Sequence, residues 1–322
     1  MYSLIRRLLF AMDAEDAHDL VTRQMVALQR IPLALRMIER YCEPPAHARR
    51  ELMGMSFPSP IGIAAGFDKN GLVMPMLAAL GFGFVEVGTV TLRPQPGNPR
   101  PRVFRYPEHQ ALINRLGFNN DGADAVAGRL ASWQRTVPLF VNIGKNLDVP
   151  IAAAVDDYAA CAAKVAPHAD AIVLNLSSPN TPALRDLQRP EHLEPLLRAV
   201  RDTKPLLVKI APDIGDDALL SEICDVCKRF ADGMVCTNTT IDHPSLSEEE
   251  GGLSGRPLFA KSTAVLARVR ELVGAAYPLV GVGGVFTIDE ARIKFASGAD
   301  LVQVYTGLIY EGPAMARKLT RA

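Results

Sequence analysis

Residues 279–307 read LVGVGGVFTIDEARIKFASGADLVQVYTG. An apolar run ending on glycine (Leu279–Gly283) is followed by a helical stretch and then by a second apolar run (Leu301–Tyr305) that ends on Thr306-Gly307. Short, nearly continuous runs of Val, Ile and Leu suit strands buried on both faces, and their alternation with helices implies a parallel sheet with right-handed crossovers. Six more such runs precede this unit: Ile61–Ala65, Phe84–Gly88, Leu139–Ile143, Ala171–Asn175, Leu206–Ile210 and Gly233–Thr237. Eight strand–helix units in about 260 residues predict a (β/α)8 TIM barrel, a fold of roughly that size. A doubly wound open sheet also holds eight strands and is the alternative architecture.

The composition excludes other classes. Among 322 residues, 35 Lys+Arg balance 35 Asp+Glu, 48% are hydrophobic, and Gly and Pro number 24 each. Gly plus Pro is about 15% of the chain, well under the roughly 25–30% of low-complexity sequences. A balanced charge offers no long-range attraction to phosphate backbones, and no basic patch with interleaved aromatics is present, so nucleic acid is not an expected partner. The five cysteines, Cys42, Cys161, Cys224, Cys227 and Cys236, are scattered and odd in number, as in a reducing compartment. Cys224 and Cys227 lie in a helical pattern with no second Cys or His pair to complete a zinc site, so no metal is expected. Leu8–Met12 is too short for a signal-peptide core. The longest charge-free stretch, Leu272–Ile288, is broken by Gly and Pro and does not read as a membrane span.

Polar residues recur where the expected strands end. They are Asp68 and Lys69, Thr89, Asn142 with Lys145, Asn175 with Ser178, Lys209, Thr237 with Asn238, Gly283-Gly284 and Thr306-Gly307. Barrel active sites are built at that face. The last two pairs follow expected strands seven and eight, where barrels commonly bind phosphate against backbone N–H groups. Asn175–Thr181, Asn114–Asn120 and Thr237–Thr240 are amide-rich. Each alone reads as a turn, but three together suit a planar amide or ureide edge, which needs paired donors and acceptors without charge. A lysine in an apolar strand, such as Lys209, must face a partner or an anion, and Lys69 is a second candidate.

These segments, read together, resemble a known family. AGFDK (65–69), EVGTVT (86–91), RPQPGNPRPR (93–102), NRLGFNN (114–120), NIGKN (142–146), NLSSPNT (175–181), KIAPD (209–213), TNTT (237–240) and GGLSGRPL (251–258) are similar to those of the quinone-dependent (class 2) dihydroorotate dehydrogenases. The resemblance spans essentially the whole chain. It implies an FMN-dependent barrel that oxidises (S)-dihydroorotate to orotate in pyrimidine (UMP) synthesis and passes electrons to a membrane quinone. It further implies a peripheral protein on the cytoplasmic face of the bacterial cell membrane.

Carried over residue by residue, the family pattern places FMN against Ala65, Gly66, Phe67, Asp68, Lys69, Thr89, Asn142, Asn175, Lys209, Thr237, Gly255, Gly284, Tyr305 and Thr306. Phe67 stands where Leu is common. Substrate contacts fall on Lys69, Asn114, Arg115, Leu116, Gly117, Phe118, Asn175, Asn180, Asn238 and Thr239. Ser178 falls on the catalytic base, where the soluble class 1 enzymes carry Cys. His18, Arg105 and Tyr305 match polar residues near the quinone head. The chemistry agrees with these roles. Removing a proton from C5 and a hydride from C6 needs a base on one side and flavin N5 on the other, and Lys209 near the flavin would stabilise the negative charge of its reduced form.

Residues 1–45 form an expected helical extension to the barrel unit, 46–322. Leu4, Ile5, Leu8, Leu9 and Met12 share one stripe, and Ala17, Leu20, Val21, Met25 and Leu28 another, with Asp13–Asp16 supplying the turn and cap between them. Pro32 and Pro44-Pro45 mark breaks. Such a helical pair is either a packed cap or an amphipathic element entering a membrane interface. Two rival functions remain at this level: a phosphate-binding aldolase or isomerase with a Schiff base on Lys209, and an inert scaffold at the membrane.

Overall fold

The computed structural model describes residues 2–321 apart from 202–203, 244–245 and 248. Met1 and Ala322, the outer ends of the two expected units, lie outside the described residues. Three helices come first: α1 (Tyr2–Phe10), α2 (Ala14–Gln29) and α3 (Pro32–Cys42). The apolar stripes predicted a pair. Pro32 marks the break after α2 as expected and also opens a third helix, because the first helical position has no N–H bond to lose and a φ that proline already holds. Asp13 caps α2 as expected, its carboxylate accepting from the backbone N–H groups of Glu15 and Asp16.

A hairpin of β1 (Arg50–Leu52) and β2 (Met55–Phe57) leads into β3 (Ile61–Ile63), α4 (Met74–Ala79) and β4 (Phe84–Val90). A second hairpin, β5 (Val103–Tyr106) and β6 (Ala111–Asn114), is inserted before α5 (Ala123–Ser132). The alternation then runs β7 (Leu139–Ile143), α6 (Ala154–Val165), β8 (Ala171–Asn175), α7 (Pro190–Val200), β9 (Leu206–Ile210), α8 (Asp217–Phe230) and β10 (Gly233–Cys236). After β11 (Gly252–Gly255) come α9 (Phe259–Val273), β12 (Leu279–Val282), α10 (Ile288–Ala296), β13 (Leu301–Val304), α11 (Thr306–Glu311) and α12 (Met315–Leu319).

Strands β3, β4, β7, β8, β9, β10, β12 and β13, one for each apolar run, close a parallel barrel. Closure is made by β13 on β3, with Val302 opposite Ile61, which removes the open-sheet alternative. Cys224 and Cys227 are buried in α8 as free thiols.

The strand period of two explains what fills the barrel. Phe84, Phe140, Leu207 and Leu301 point inward and pack with Phe57 of β2, which closes the bottom edge-on to Phe84 and Phe140 at 5.6 and 6.1 Å. Two residues further along these strands, on the same face, come Glu86, Asn142, Lys209 and Gln303, all buried. The barrel therefore changes from an apolar plug to a polar floor within one step of the pleat.

Asn114–Asn120 was expected to follow a barrel strand. It leaves β6, the centre of a three-stranded antiparallel sheet in which β11, arriving from the segment after β10, pairs Gly252–Gly255 against Asn114–Ala111. This sheet stands at the rim of the barrel mouth.

The extension docks on the barrel through apolar contacts, with Met25 and Val26 against the core and Phe10 edge-on to Tyr310, and through polar ones. Glu15 of α2 and Arg102 form a buried ion pair at 2.6 Å, and Arg102 also donates to the carbonyls of Pro96 and Asn98. Arg105 donates to the carbonyls of Leu9 and Met12, and Tyr2 to that of Ile309. Leu4, Ile5, Leu8 and Met12 are exposed, as are Leu33, Met37 and Tyr41 along one side of α3.

Candidate active site

The C-terminal ends of the barrel strands and the β5–β6–β11 rim surround a cavity of about 980 Å³, its open mouth included. Most of the carried-over residues line it: Ala65, Gly66, Lys69, Thr89, Asn175, Lys209, Thr237, Gly255, Gly284, Tyr305 and Thr306, together with Asn114, Leu116, Gly117, Phe118, Ser178, Asn180, Asn238 and Thr239. No carboxylate or imidazole lines it among the described residues.

A directional hydrogen-bond chain underlies the floor. The Glu86 carboxylate can only accept, so it takes the side-chain N–H groups of Asn142, at 2.7 Å, and of Gln303. That turns the Asn142 Oδ1 toward the Thr89 hydroxyl, which donates to it at 2.6 Å and accepts from Asn175 Nδ2 at 2.8 Å. Asn175 Oδ1 in turn accepts from Asn238 Nδ2. The amide orientations follow from one buried acid. Gln303 lines the cavity, and its Oε1 has no hydrogen-bond partner among the described residues.

Neither cavity lysine is paired. Lys209, buried on β9, and Lys69, after β3, have no carboxylate or other acceptor within bonding distance among the described residues. Burial pulls the Lys69 ammonium down to about 8, against a smaller opposing pull from Glu15. Two unneutralised ammonium groups in one acid-free cavity call for an anionic ligand.

In the loop after β12, Gly283 and Gly284 turn with φ of +115° and +76°. A Cβ on Gly284 would lie 2.5 to 2.7 Å from Phe259, backbone included, so only glycine lets the loop pass this close. The Thr306 hydroxyl donates to Ser254 at 2.8 Å across the same corner. Ser178, in the loop after β8, is buried, and its Oγ accepts the backbone N–H of Asn180 at 3.2 Å. The Asn180 amide donates to Asn114 Oδ1 at 3.3 Å and ties that loop to β6.

Other carried-over residues lie behind the lining. Asn142 acts through Thr89. Asp68 turns its side chain away from the cavity, its carboxylate capping a turn by accepting the backbone N–H groups of Leu72 and Val73 at 2.8 Å each. The Arg115 side chain also turns outward, pairing with Glu249 at 2.7 Å and lying over the Phe104 ring. Phe67 packs edge-on between His18, at 5.2 Å, and Tyr305, at 6.3 Å. These rings form a ladder from α2 to the cavity wall. Burial, with Lys69 nearby, pushes the His18 imidazole down to about 3 and keeps it neutral. Arg105 lies 4.8 Å over the Phe10 ring and is committed to the carbonyls that end α1.

Glu86, Gln303 and Ser254 were missed from the sequence. The first two could have been found by the argument applied to Lys209, since each is a polar residue inside an apolar strand. Ser254 comes from β11, which carries no strand signal.

A family model described as dihydroorotate dehydrogenase matches residues 47–322. A protein named dihydroorotate dehydrogenase (quinone) from Burkholderia pseudomallei (strain 668) is 45% identical across all of this chain and 98% of its own length. One of the same name from Burkholderia mallei (strain SAVP1) is 45% identical across all of this chain and 97% of its own. The crystal structure of DHODH from Eimeria tenella in complex with ferulenol superposes with a TM-score of 0.86 at 36% identity, covering 95% of this chain and 89% of that one. The ligand-free type from the same organism gives 0.82 at 37%, over 90% and 92%.

Proposed function

Because the chain belongs to the dihydroorotate dehydrogenase family, in its quinone-dependent class 2 branch, we propose that it oxidises (S)-dihydroorotate to orotate on a bound FMN, in pyrimidine (UMP) biosynthesis, and delivers the electrons to a membrane quinone. The observation that carries the reading is the acid-free cavity with two unpaired lysines, Lys69 and Lys209. An anionic flavin and an anionic substrate are the ligands such a site fits. The orphan Gln303 Oε1 and the glycine-only corner at Gly284 fit a flavin amide edge and a phosphate.

When bound, FMN would supply a hydride acceptor at N5. Ala65, Gly66, Thr89, Asn175, Lys209, Thr237, Gly255, Gly284, Tyr305 and Thr306 would hold it, with Asn142 setting Thr89. Lys69, Asn114, Leu116, Gly117, Phe118, Asn180, Asn238 and Thr239 would hold dihydroorotate, the amides reading the ring edge and Lys69 the carboxylate. Ser178 Oγ takes the C5 proton. A hydroxyl is a weak base, and the Asn180 N–H aimed at Oγ stabilises the charge that develops on it.

Residues 1–45 form the quinone and membrane module of this proposal. The exposed Leu4, Ile5 and Leu8 on α1 and Leu33, Met37 and Tyr41 on α3 would enter the lipid interface of the bacterial membrane from the cytoplasmic side. No helix among the described residues is long and apolar enough to cross a membrane. The His18–Phe67–Tyr305 ladder gives the quinone head a route to the flavin, and Arg105 positions α1 beside it.

The visible spectrum tests the proposal. Purified protein should carry one FMN per chain, bleach on anaerobic dihydroorotate and recover its colour with a quinone. A colourless preparation that neither retains nor rebinds FMN would overturn it.

A further inference from the structure

Lys294 of α10 is fully buried, and the mechanism above does not use it. It faces the gap between α10 and α9, with the Phe259 ring 5.2 Å from its Nζ and the Cys236 thiol of β10 nearby. Among the described residues its ammonium has one hydrogen-bond acceptor, the Ser262 hydroxyl at 2.7 Å, and no carboxylate partner. Ser262 is itself fully buried on α9, and its single hydroxyl proton is shared between the carbonyls of Phe259, at 3.1 Å, and Gly283, at 3.2 Å. The chain from Lys294 therefore ends on the back of the glycine corner of the cavity. In a trans peptide the C=O and the following N–H point in opposite directions. With the Gly283 carbonyl drawn toward Ser262, the Gly284 N–H is turned to the other side, and Gly284 lines the cavity.

We propose that Lys294 is a positioning residue for the cofactor phosphate, holding the Gly283–Gly284 peptide through Ser262 so that the Gly284 N–H faces the phosphate, and setting a positive charge behind the loop. This inference rests on the FMN reading. A buried ammonium with a single neutral acceptor is costly to keep, and a phosphate on the far side of one peptide supplies the missing negative charge. Polarisation along linked hydrogen bonds strengthens the terminal donor, here the Gly284 N–H. Burial pushes the Lys294 ammonium down to about 7, in keeping with a charge that lacks its anion. The effect is selective, because it acts on the phosphate and not on the flavin ring.

The test titrates the full chain, stripped of flavin, with FMN and with riboflavin, which lacks the phosphate, following flavin fluorescence. Lys294→Met should weaken FMN by at least about tenfold, the change expected from one charge-assisted contact, while moving riboflavin less than about twofold. Ser262→Ala, a smaller change that keeps the lysine, should act in the same direction and shift the ³¹P resonance of bound FMN. Should Lys294→Met not fold, Ser262→Ala decides alone. Equal weakening of both flavins would show a merely structural lysine and overturn the inference, as would unchanged FMN binding. If the unaltered chain bound neither flavin, the flavin reading itself would fall, and if it bound both equally, the phosphate contact and this inference with it would fall; both outcomes are visible before any variant is made.

Discussion

Replacing Glu15 by alanine should undock α2 from the barrel while the barrel itself stays folded. Glu15 and Arg102 meet with side chains 10% and 8% exposed, the guanidinium Nε and Nη2 both donating to the carboxylate at 2.6 to 3.2 Å. The Arg102 Nη1 is held separately by two backbone carbonyls at 2.7 Å, so the arginine cannot swing out to water when its partner is removed. Deleting one member of a buried pair strands the other, at a cost of about 3–5 kcal/mol. Since the pair joins two modules, most of that loss should appear as local opening. Amide exchange in α2 should accelerate by roughly 10²- to 10³-fold, at about 1.4 kcal/mol per decade, with the barrel strands nearly unchanged. The assay is hydrogen–deuterium exchange resolved by peptide. Glu15→Leu with Arg102→Met should recover most of the protection, because an apolar pair leaves no stranded charge. Acid should mimic the single variant. Burial alone would raise the Glu15 pKa, but the hydrogen bond and charge of Arg102, with Arg100 and Lys69, hold it below the ordinary 4.5. Its contribution is therefore present above that value and lost as pH falls through the lowered folded one. Exchange in α2 of Glu15→Ala within about threefold of the unaltered protein would refute the reasoning, since even 1 kcal/mol predicts more than that.

Ser178→Ala should keep its FMN yet slow flavin reduction by about 10²–10⁴-fold in single-turnover stopped flow, whereas Ser178→Cys should retain part of the rate; unimpaired reduction by the alanine variant would reject the base. Lys69 is charged below about 8, so KM for dihydroorotate should rise as pH passes through that value, and Lys69→Met should abolish the pH dependence along with the tight binding. Deleting residues 2–40 leaves Arg102 without Glu15, so the truncation should be made with Arg102→Met. That protein should still reduce its flavin with dihydroorotate but lose both long-chain quinone turnover and liposome binding; quinone turnover at the intact rate would make the extension a structural cap only.

The barrel and most of the cavity lining were legible along the chain because their signals are local. An apolar run of four or five residues declares a doubly buried strand, and a polar residue at its end declares the active face, so Lys209, Asn175, Gly284 and Ser178 could be named before any fold was known. The family resemblance then assigned roles to them. It also assigned Asp68 and Arg115 to ligands, and only the fold shows one capping a turn and the other facing Glu249. What the sequence could not place depends on pairings across long separations. Strands β6 and β11 meet over more than 130 positions through four residues each, too short for a period-two pattern to stand out from loop. Glu15 and Arg102 are 87 positions apart, and Lys294 and Ser262 lie 32 apart on different helices. A lone charge in a helix reads as solvated until packing buries it. Glu86, likewise, orients Asn142, Thr89 and Asn175 only because the sheet sets β4, β7 and β8 side by side, and closure brings Gln303 of β13 to the same acid. Sequence thus determined which elements form and which ends are reactive, since strand burial and side-chain chemistry are written residue by residue. Which buried charges find partners, and which are left facing a ligand, was decided by tertiary structure, because the cost of burying a charge depends on neighbours that only closure brings together.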